Sequence, residues 1–144
     1  MIVYFDASVL VKRCLAETGS AAVERLFTTT ELPGTALISR AEVSAALRKA
    51  VRMGATTLEE GAEALKAFRS HWIHLVRLKV EEPTVAQADA LAWEYDLRGY
   101  DAVHLASALL WRETIGEPVM LAAFDQQLWH AAQKAGFAVW PGSL

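Results

Sequence analysis

One cysteine, Cys14, is all the thiol chemistry that this 144-residue sequence holds. A single thiol excludes an internal disulfide and any cysteine-built metal cluster, so Cys14 reads as a semi-buried apolar filler. Long hydrophobic runs are missing too. The longest weakly polar stretch, "DAVHLASALLW", is too short to cross a membrane and carries Asp101 and His104. The first residues lack both a basic lead and a small-residue cleavage site, which leaves the cytoplasm as the expected location. No repeat, low-complexity segment or dividing linker interrupts the chain, so residues 1–144 are expected to form one domain with a single substantial core. Positive charge is not in excess: 14 Lys and Arg stand against 17 Asp and Glu, a formal net charge of −3. That balance argues against a protein gripping nucleic acid over its whole surface, but it allows a local basic patch around an acidic centre. Apolar residues, by contrast, are plentiful at 53%. The surplus over an ordinary soluble domain is expected to be covered by another chain.

The apolar residues fall into an alternating pattern. "IVYF" at residues 2–5 reads as a buried strand, followed by helical spacing over roughly 8–17 and 20–30. "PGTALIS" predicts a turn and then a short second strand. Ser39 with Glu42 three residues on has the form of a capping box, opening a helix through Val43, Ala46, Leu47 and Ala50 that stops at Gly54. Thr56 to Glu59, or Thr57 to Glu60, starts the next helix, and "IHLVRL" reads as a third strand. Pro83-Thr84 opens a helix running towards Gly99, and Asp101 opens another through Ala102, Leu105, Ala106 and Leu109. "PVMLAAF" leads through Asp125 into a last helix, and "FAVW" supplies a fifth strand. Five short apolar strands separated by helices predict an α/β domain: three α/β/α layers around a mainly parallel five-stranded central sheet.

Ligands in open parallel sheets bind beyond the carboxyl ends of the strands. Asp6, Glu42 and Asp125 all sit at such junctions, and Asp101 sits at a helix start. Each alone reads as helix capping: Asp6, Asp101 and Asp125 as N-caps and Glu42 as the reciprocal member of its box. Together they read differently. Two carboxylates about 4 Å apart repel by roughly 4 kcal/mol at an effective dielectric of about 20, so a gathered set needs a cation. With no cysteine pair and no His-x-x-x-His, an all-oxygen set suits Mg²⁺ or Mn²⁺, ions suited to chemistry on phosphate.

"YFDASVLVK", "LISRAEVSAALRK", "LRGYDAVHLASAL" and "LAAFDQQLWHAA" resemble, in order and across nearly the whole chain, the four acidic motifs of PIN-domain ribonucleases. Among these proteins the short form is similar to VapC-type toxins of toxin-antitoxin pairs. The resemblance implies that Asp6, Glu42, Asp101 and Asp125 hold Mg²⁺, with Mn²⁺ as substitute, and that the protein is a metal-dependent endoribonuclease. Ser8 matches the hydroxyl residue that bonds a metal-bound water or an aspartate. Where many relatives carry Thr or Ser two residues before the fourth aspartate, this sequence has Ala123. A homodimer and a cognate antitoxin are the implied protein partners, RNA the implied substrate. The alternatives are a stand-alone PIN nuclease in RNA maturation and a non-catalytic module whose carboxylates only cap helices. A phosphatase with Asp6 as nucleophile fits poorly, because Ser8 replaces the second acidic residue of its Asp-x-Asp pattern.

His104, one helical turn after Asp101, is expected to pack in its helix or to act as a donor behind the carboxylates. His71, His74 and His130 have no partner pattern. The five tryptophans read mostly as core or interface, and Asp96 as solvated. Arg40 and Arg98 are the candidates for steering RNA phosphates.

Overall fold

The computed structural model describes residues 1–144. The chain alternates strand and helix: β1 (Ile2–Phe5), α1 (Ala7–Cys14), α2 (Ser20–Thr29), β2 (Leu32–Ala36), α3 (Ser39–Arg52), α4 (Leu58–His71), β3 (Val76–Leu78), α5 (Glu82–Tyr95), α6 (Gly99–Ile115), β4 (Met120–Ala122), α7 (Gln126–Lys134) and β5 (Ala138–Trp140). The strands form one sheet in the order β3-β2-β1-β4-β5, and every pairing is parallel. The expected five-stranded α/β/α architecture is therefore present, with a wholly parallel sheet.

Strand alternation sends side chains to two separate cores. Tyr4 and Leu121 join the larger one, with α5, α6 and α7, while Val3, Phe5 and Ala122 join the other, beneath α1, α3 and α4. Both faces of β1 are therefore dry: Val3, Tyr4 and Phe5 are completely buried. A continuous apolar run is what a strand covered on both faces requires. No helix is long and apolar enough to cross a membrane.

Several local expectations are corrected. Pro33 and Gly34 lie inside β2, not in a turn before it. Pro33 precedes the stretch that pairs with β3, which begins at Gly34, and Gly34 is needed because the Trp111 ring packs on it: a Cβ there would sit 2.5 Å from the ring. "IHLVRL" yields only Val76–Leu78 as strand, because Trp72–His74 form a 3₁₀ turn that seats Trp72 in the core. Helix α5 stops before Gly99. Asp96 takes the left-handed conformation at φ 53° and ends it, and Gly99 instead opens α6. The box expected at Ser39 does not form: Ser39 is buried and shares a 2.6 Å hydrogen bond with Thr35, leaving Ile38 as the helix cap. Of the two starts weighed for α4, the Thr57–Glu60 one occurs, with the Glu60 amide donating to the Thr57 hydroxyl. Trp72, Trp111 and Trp129 are buried, whereas Trp93 is 92% exposed.

Gly34→Ala should lower stability by about 1–3 kcal/mol, the usual effect of overpacking a filled core, measured by urea unfolding. Trp111→Phe in the same background should recover part of the loss, because the shorter ring withdraws from the new methyl group.

Candidate active site

The carboxyl ends of β1, β2 and β4 meet at one edge of the sheet, and α6 crosses it. Asp6 directly follows β1. Its amide donates to the Ala122 carbonyl at 2.9 Å, which ties the end of β1 to the end of β4. The Asp6 carboxylate caps α1 by accepting from the Ser8 amide at 3.2 Å, and it accepts a 2.6 Å bond from the Ser8 hydroxyl. Ser8 Oγ in turn accepts from the Phe124 amide at 3.0 Å. Ser8 therefore links Asp6 to the segment after β4, next to Ala123, which is buried and has no hydroxyl of its own. The Phe5 carbonyl accepts from Thr35 at 2.7 Å, joining β1 to β2 as well.

Asp125 caps α7, its Oδ1 accepting from the Leu128 amide at 3.0 Å. Capping thus accounts for Asp6 and Asp125, but not for the other two carboxylates. Glu42 lies in the first turn of α3, where its Oε1 accepts a 2.6 Å bond from Nε2 of His104. Asp101 is not the cap of α6. It is the third residue of that helix, and its carboxylate is bonded by Arg98 instead of by a backbone amide.

Two basic side chains, Arg98 and His104, thread the cluster. The Arg98 guanidinium spans Asp101, with Nε 3.1 Å from Oδ2, and Asp125, with Nη2 2.6 Å from Oδ2. It does so from an exposed position. His104 works from inside, completely buried, with Nε2 2.6 Å from Glu42 and 3.4 Å from Oδ1 of Asp6. Its Nδ1 lies 2.6 Å from the hydroxyl of Tyr4, which is equally buried. His104 is thus both packed in its helix and joined to the carboxylates. Arg40 is not brought into the cluster; it is exposed, with its guanidinium 6.0 Å above the Trp72 ring. Asp96 is also exposed.

The electrostatics match this geometry. Burial raises the pKa of Asp101, the charges of Asp125 and Asp6 push it further, and Arg98 only partly opposes them. Burial alone would lower the pKa of His104. The Glu42 hydrogen bond and the charges of Asp6, Glu42 and Asp101 outweigh it and hold the imidazole above its ordinary value. The Tyr4 hydroxyl is pushed well above the usual phenol range by burial and by Asp6, so it stays protonated.

Asp6, Glu42, Asp101 and Asp125 offer only oxygen donors, and both nitrogens of His104 are already engaged. Such a set fits a hard divalent cation, not zinc or copper. The side chains are gathered but not closed into a coordination sphere: no three acidic, cysteine or histidine side chains stand as a finished metal site. Cavities of about 300 and 440 Å³ lie elsewhere, one lined by residues of α1, α2 and α4 and the other by residues of α5 and α6. Sequence reasoning missed Tyr4. Its signal was present in strand parity, since Tyr4 stands two residues before Asp6 and two-residue spacing puts side chains on one face.

The chain is similar to known proteins over nearly its whole length. The model of the PIN domain family matches residues 3–134. Ribonuclease VapC45 of Mycobacterium tuberculosis is 35% identical over 144 residues, covering 99% of this chain and 97% of the relative. Ribonuclease VapC46 of the same species is 32% identical over 137 residues, covering 95% of each. Among solved structures, a toxin-antitoxin complex from Klebsiella pneumoniae contains a chain of the same fold, with a TM-score of 0.65 at 19% identity, covering 99% of this chain and 95% of that one. A family match over most of the chain, end-to-end likeness to VapC proteins and four acidic motifs meeting at one sheet edge together establish that the chain belongs to the PIN-domain family and is of the VapC type.

Proposed function

We propose that this protein is a metal-dependent endoribonuclease acting as the toxin of a toxin-antitoxin pair, with Asp6, Glu42, Asp101 and Asp125 holding Mg²⁺, or Mn²⁺ in its place. The observation that carries the reading is the charge imbalance at the sheet edge. Four carboxylates from four different elements are answered by one permanent cation, Arg98, and by the imidazole of His104. Capping explains two of the four. A divalent ion held there would polarise an RNA phosphodiester and lower the pKa of a bound water, supplying hydroxide for in-line attack on phosphorus as the bond to the 3′-oxygen breaks and that oxygen takes up a proton. Ser8 fixes the Asp6 carboxylate from behind through its 2.6 Å bond. The burial of Asp6 and Asp101 limits hydration of the site and strengthens its field. Arg98, exposed at the rim, is placed to exchange a carboxylate for an incoming RNA phosphate, and Arg40 offers a second positive charge on α3.

The names of the curated relatives, Ribonuclease VapC, support the activity, and the toxin-antitoxin complex of the same fold supports a cognate antitoxin as partner. One domain, working in the cytoplasm as a homodimer, is part of the same proposal. Exposed Val85, Trp93 and Tyr100 on α5 and α6 supply apolar surface for a second copy.

The test is incubation of the antitoxin-free chain with tRNA and ribosomal RNA. Wild type should cut in Mg²⁺ or Mn²⁺ and not in chelator, and Asp6→Asn and Asp101→Asn should each reduce cleavage by at least about 100-fold, the scale on which removing key electrostatic groups acts. Fragments should carry 5′-phosphate and 3′-hydroxyl ends. A 2′,3′-cyclic phosphate would show that the 2′-hydroxyl, not water, is the nucleophile, and would overturn the mechanism.

Metal binding is measurable without RNA. Mn²⁺ at about 100 times its dissociation constant should stabilise the wild type by roughly 2.7 kcal/mol in thermal unfolding. Asp6→Asn should lose much of that gain while keeping its helix cap, because Asn caps about as well as Asp.

Without metal, stability should depend on pH through His104. Its folded value stands above the ordinary 6.5, so its contribution is complete below about pH 6.5 and is lost as pH rises through the raised value. The metal-free melting temperature should therefore fall from pH 6.5 upward, and His104→Asn should flatten that part of the profile.

A further inference from the structure

We propose that Tyr4 and His104 form a buried strut that fixes the carboxylate of Glu42, which makes both of them positioning residues for the metal centre; the inference rests on the metal reading given above. Glu42 needs such a strut. It stands in the first turn of α3 without the capping bond that its sequence context suggests, and its side chain is 30% exposed, so nothing else on α3 holds it. One hydrogen bond, from His104 Nε2 at 2.6 Å, orients it. His104 has no freedom to follow a moving partner. It is completely buried, packs edge-on against the Tyr4 ring at 5.9 Å and 73°, and meets the Tyr4 hydroxyl through Nδ1 at 2.6 Å.

The strut works in either charge state of the imidazole. Glu42 is an acceptor, so Nε2 carries a proton in both states. In the neutral ring Nδ1 accepts from the Tyr4 hydroxyl. In the imidazolium Nδ1 donates to the Tyr4 oxygen, and the phenol proton turns to another acceptor. Ser107, one helical turn beyond His104, stands beside that hydroxyl, and its buried Oγ has no hydrogen-bond partner of its own.

The placement of the strut distinguishes it from a packed histidine. Tyr4 precedes Asp6 by two residues on β1, and His104 follows Asp101 by three on α6. The elements that carry two of the carboxylates thus dictate the position of a third. Groups that orient ligands from behind change metal affinity about 10–100-fold when removed.

The test is Mn²⁺ titration calorimetry on the full chain without RNA, paired with metal-free thermal unfolding. The amide nitrogen of His104→Gln reaches towards the place of Nε2, whereas that of His104→Asn reaches only the place of Nδ1. His104→Asn should bind Mn²⁺ about 10–100-fold more weakly, Tyr4→Phe more weakly by a smaller factor, and His104→Gln close to wild type. In a Glu42→Ala background His104→Asn should cause no further loss. Wild-type Mn²⁺ affinity in His104→Asn, with only the melting temperature lowered, would reduce His104 to packing and overturn the strut. An equal loss with and without Glu42 would overturn it too. Should His104→Asn not fold, Tyr4→Phe decides, and unchanged affinity there is also a refutation. A wild-type chain that binds no Mn²⁺, or whose affinity ignores Asp101→Asn, would instead overturn the metal reading itself.

Discussion

Mutual repulsion among carboxylates at one edge of the sheet is the constraint around which this molecule is arranged. The charges of Asp125 and Asp6 both raise the pKa of Asp101, so the ionised forms oppose one another there. The fold answers from two directions. Arg98 reaches in from solvent across Asp101 and Asp125, and His104 reaches out from the core to Glu42 and Asp6. The outer guanidinium is exposed and screened, whereas the inner imidazole is dry and fixed. Like charges collected at one place weaken the fold that holds them, as is usual where a site gathers them.

The sheet carries this load because of its topology. Parallel strands point their carboxyl ends the same way, so β1, β2 and β4 deliver their following residues to one edge. The bonds among these ends, from Asp6 to Ala122, from Thr35 to Phe5 and from Phe124 to Ser8, hold the junctions in register. Two apolar cores, one on each face, clamp the central strand. What looks in sequence like a surplus of hydrophobic residues is partly this double covering. Part does remain outside, on the faces of α5 and α6.

The strand and helix order was legible in the sequence because apolar periodicity and turn signals act locally. The errors came where a distant partner overrode a local rule. Ser39 and Glu42 have the spacing of a capping box, yet Thr35 takes Ser39 into the core and His104, 62 residues away, takes Glu42. Pro33 and Gly34 resemble a turn, but Trp111 requires a residue without a side chain in mid-strand. The motifs name Asp6, Glu42, Asp101 and Asp125 as candidates, and the structure joins them in two pairs, through His104 and through Arg98. The imidazole between them could not be assigned to both core and site, since either role suits a histidine on an apolar helix face. Strand parity puts Tyr4 on the same face as Asp6, but its bond to His104 depends on where α6 lies, which the sequence does not show.

The central position of β1 has a consequence for control. β1 has neighbours on both sides and dry faces above and below; core strands of this kind open at the highest free energies, and helix ends and exposed rims at far smaller ones. Asp6 thus grows out of the most enclosed strand of the sheet. A regulator therefore gains little by trying to bend it. The yielding parts are the rim and the space in front of the carboxylates, so control by occupation suits this architecture better than control by distortion.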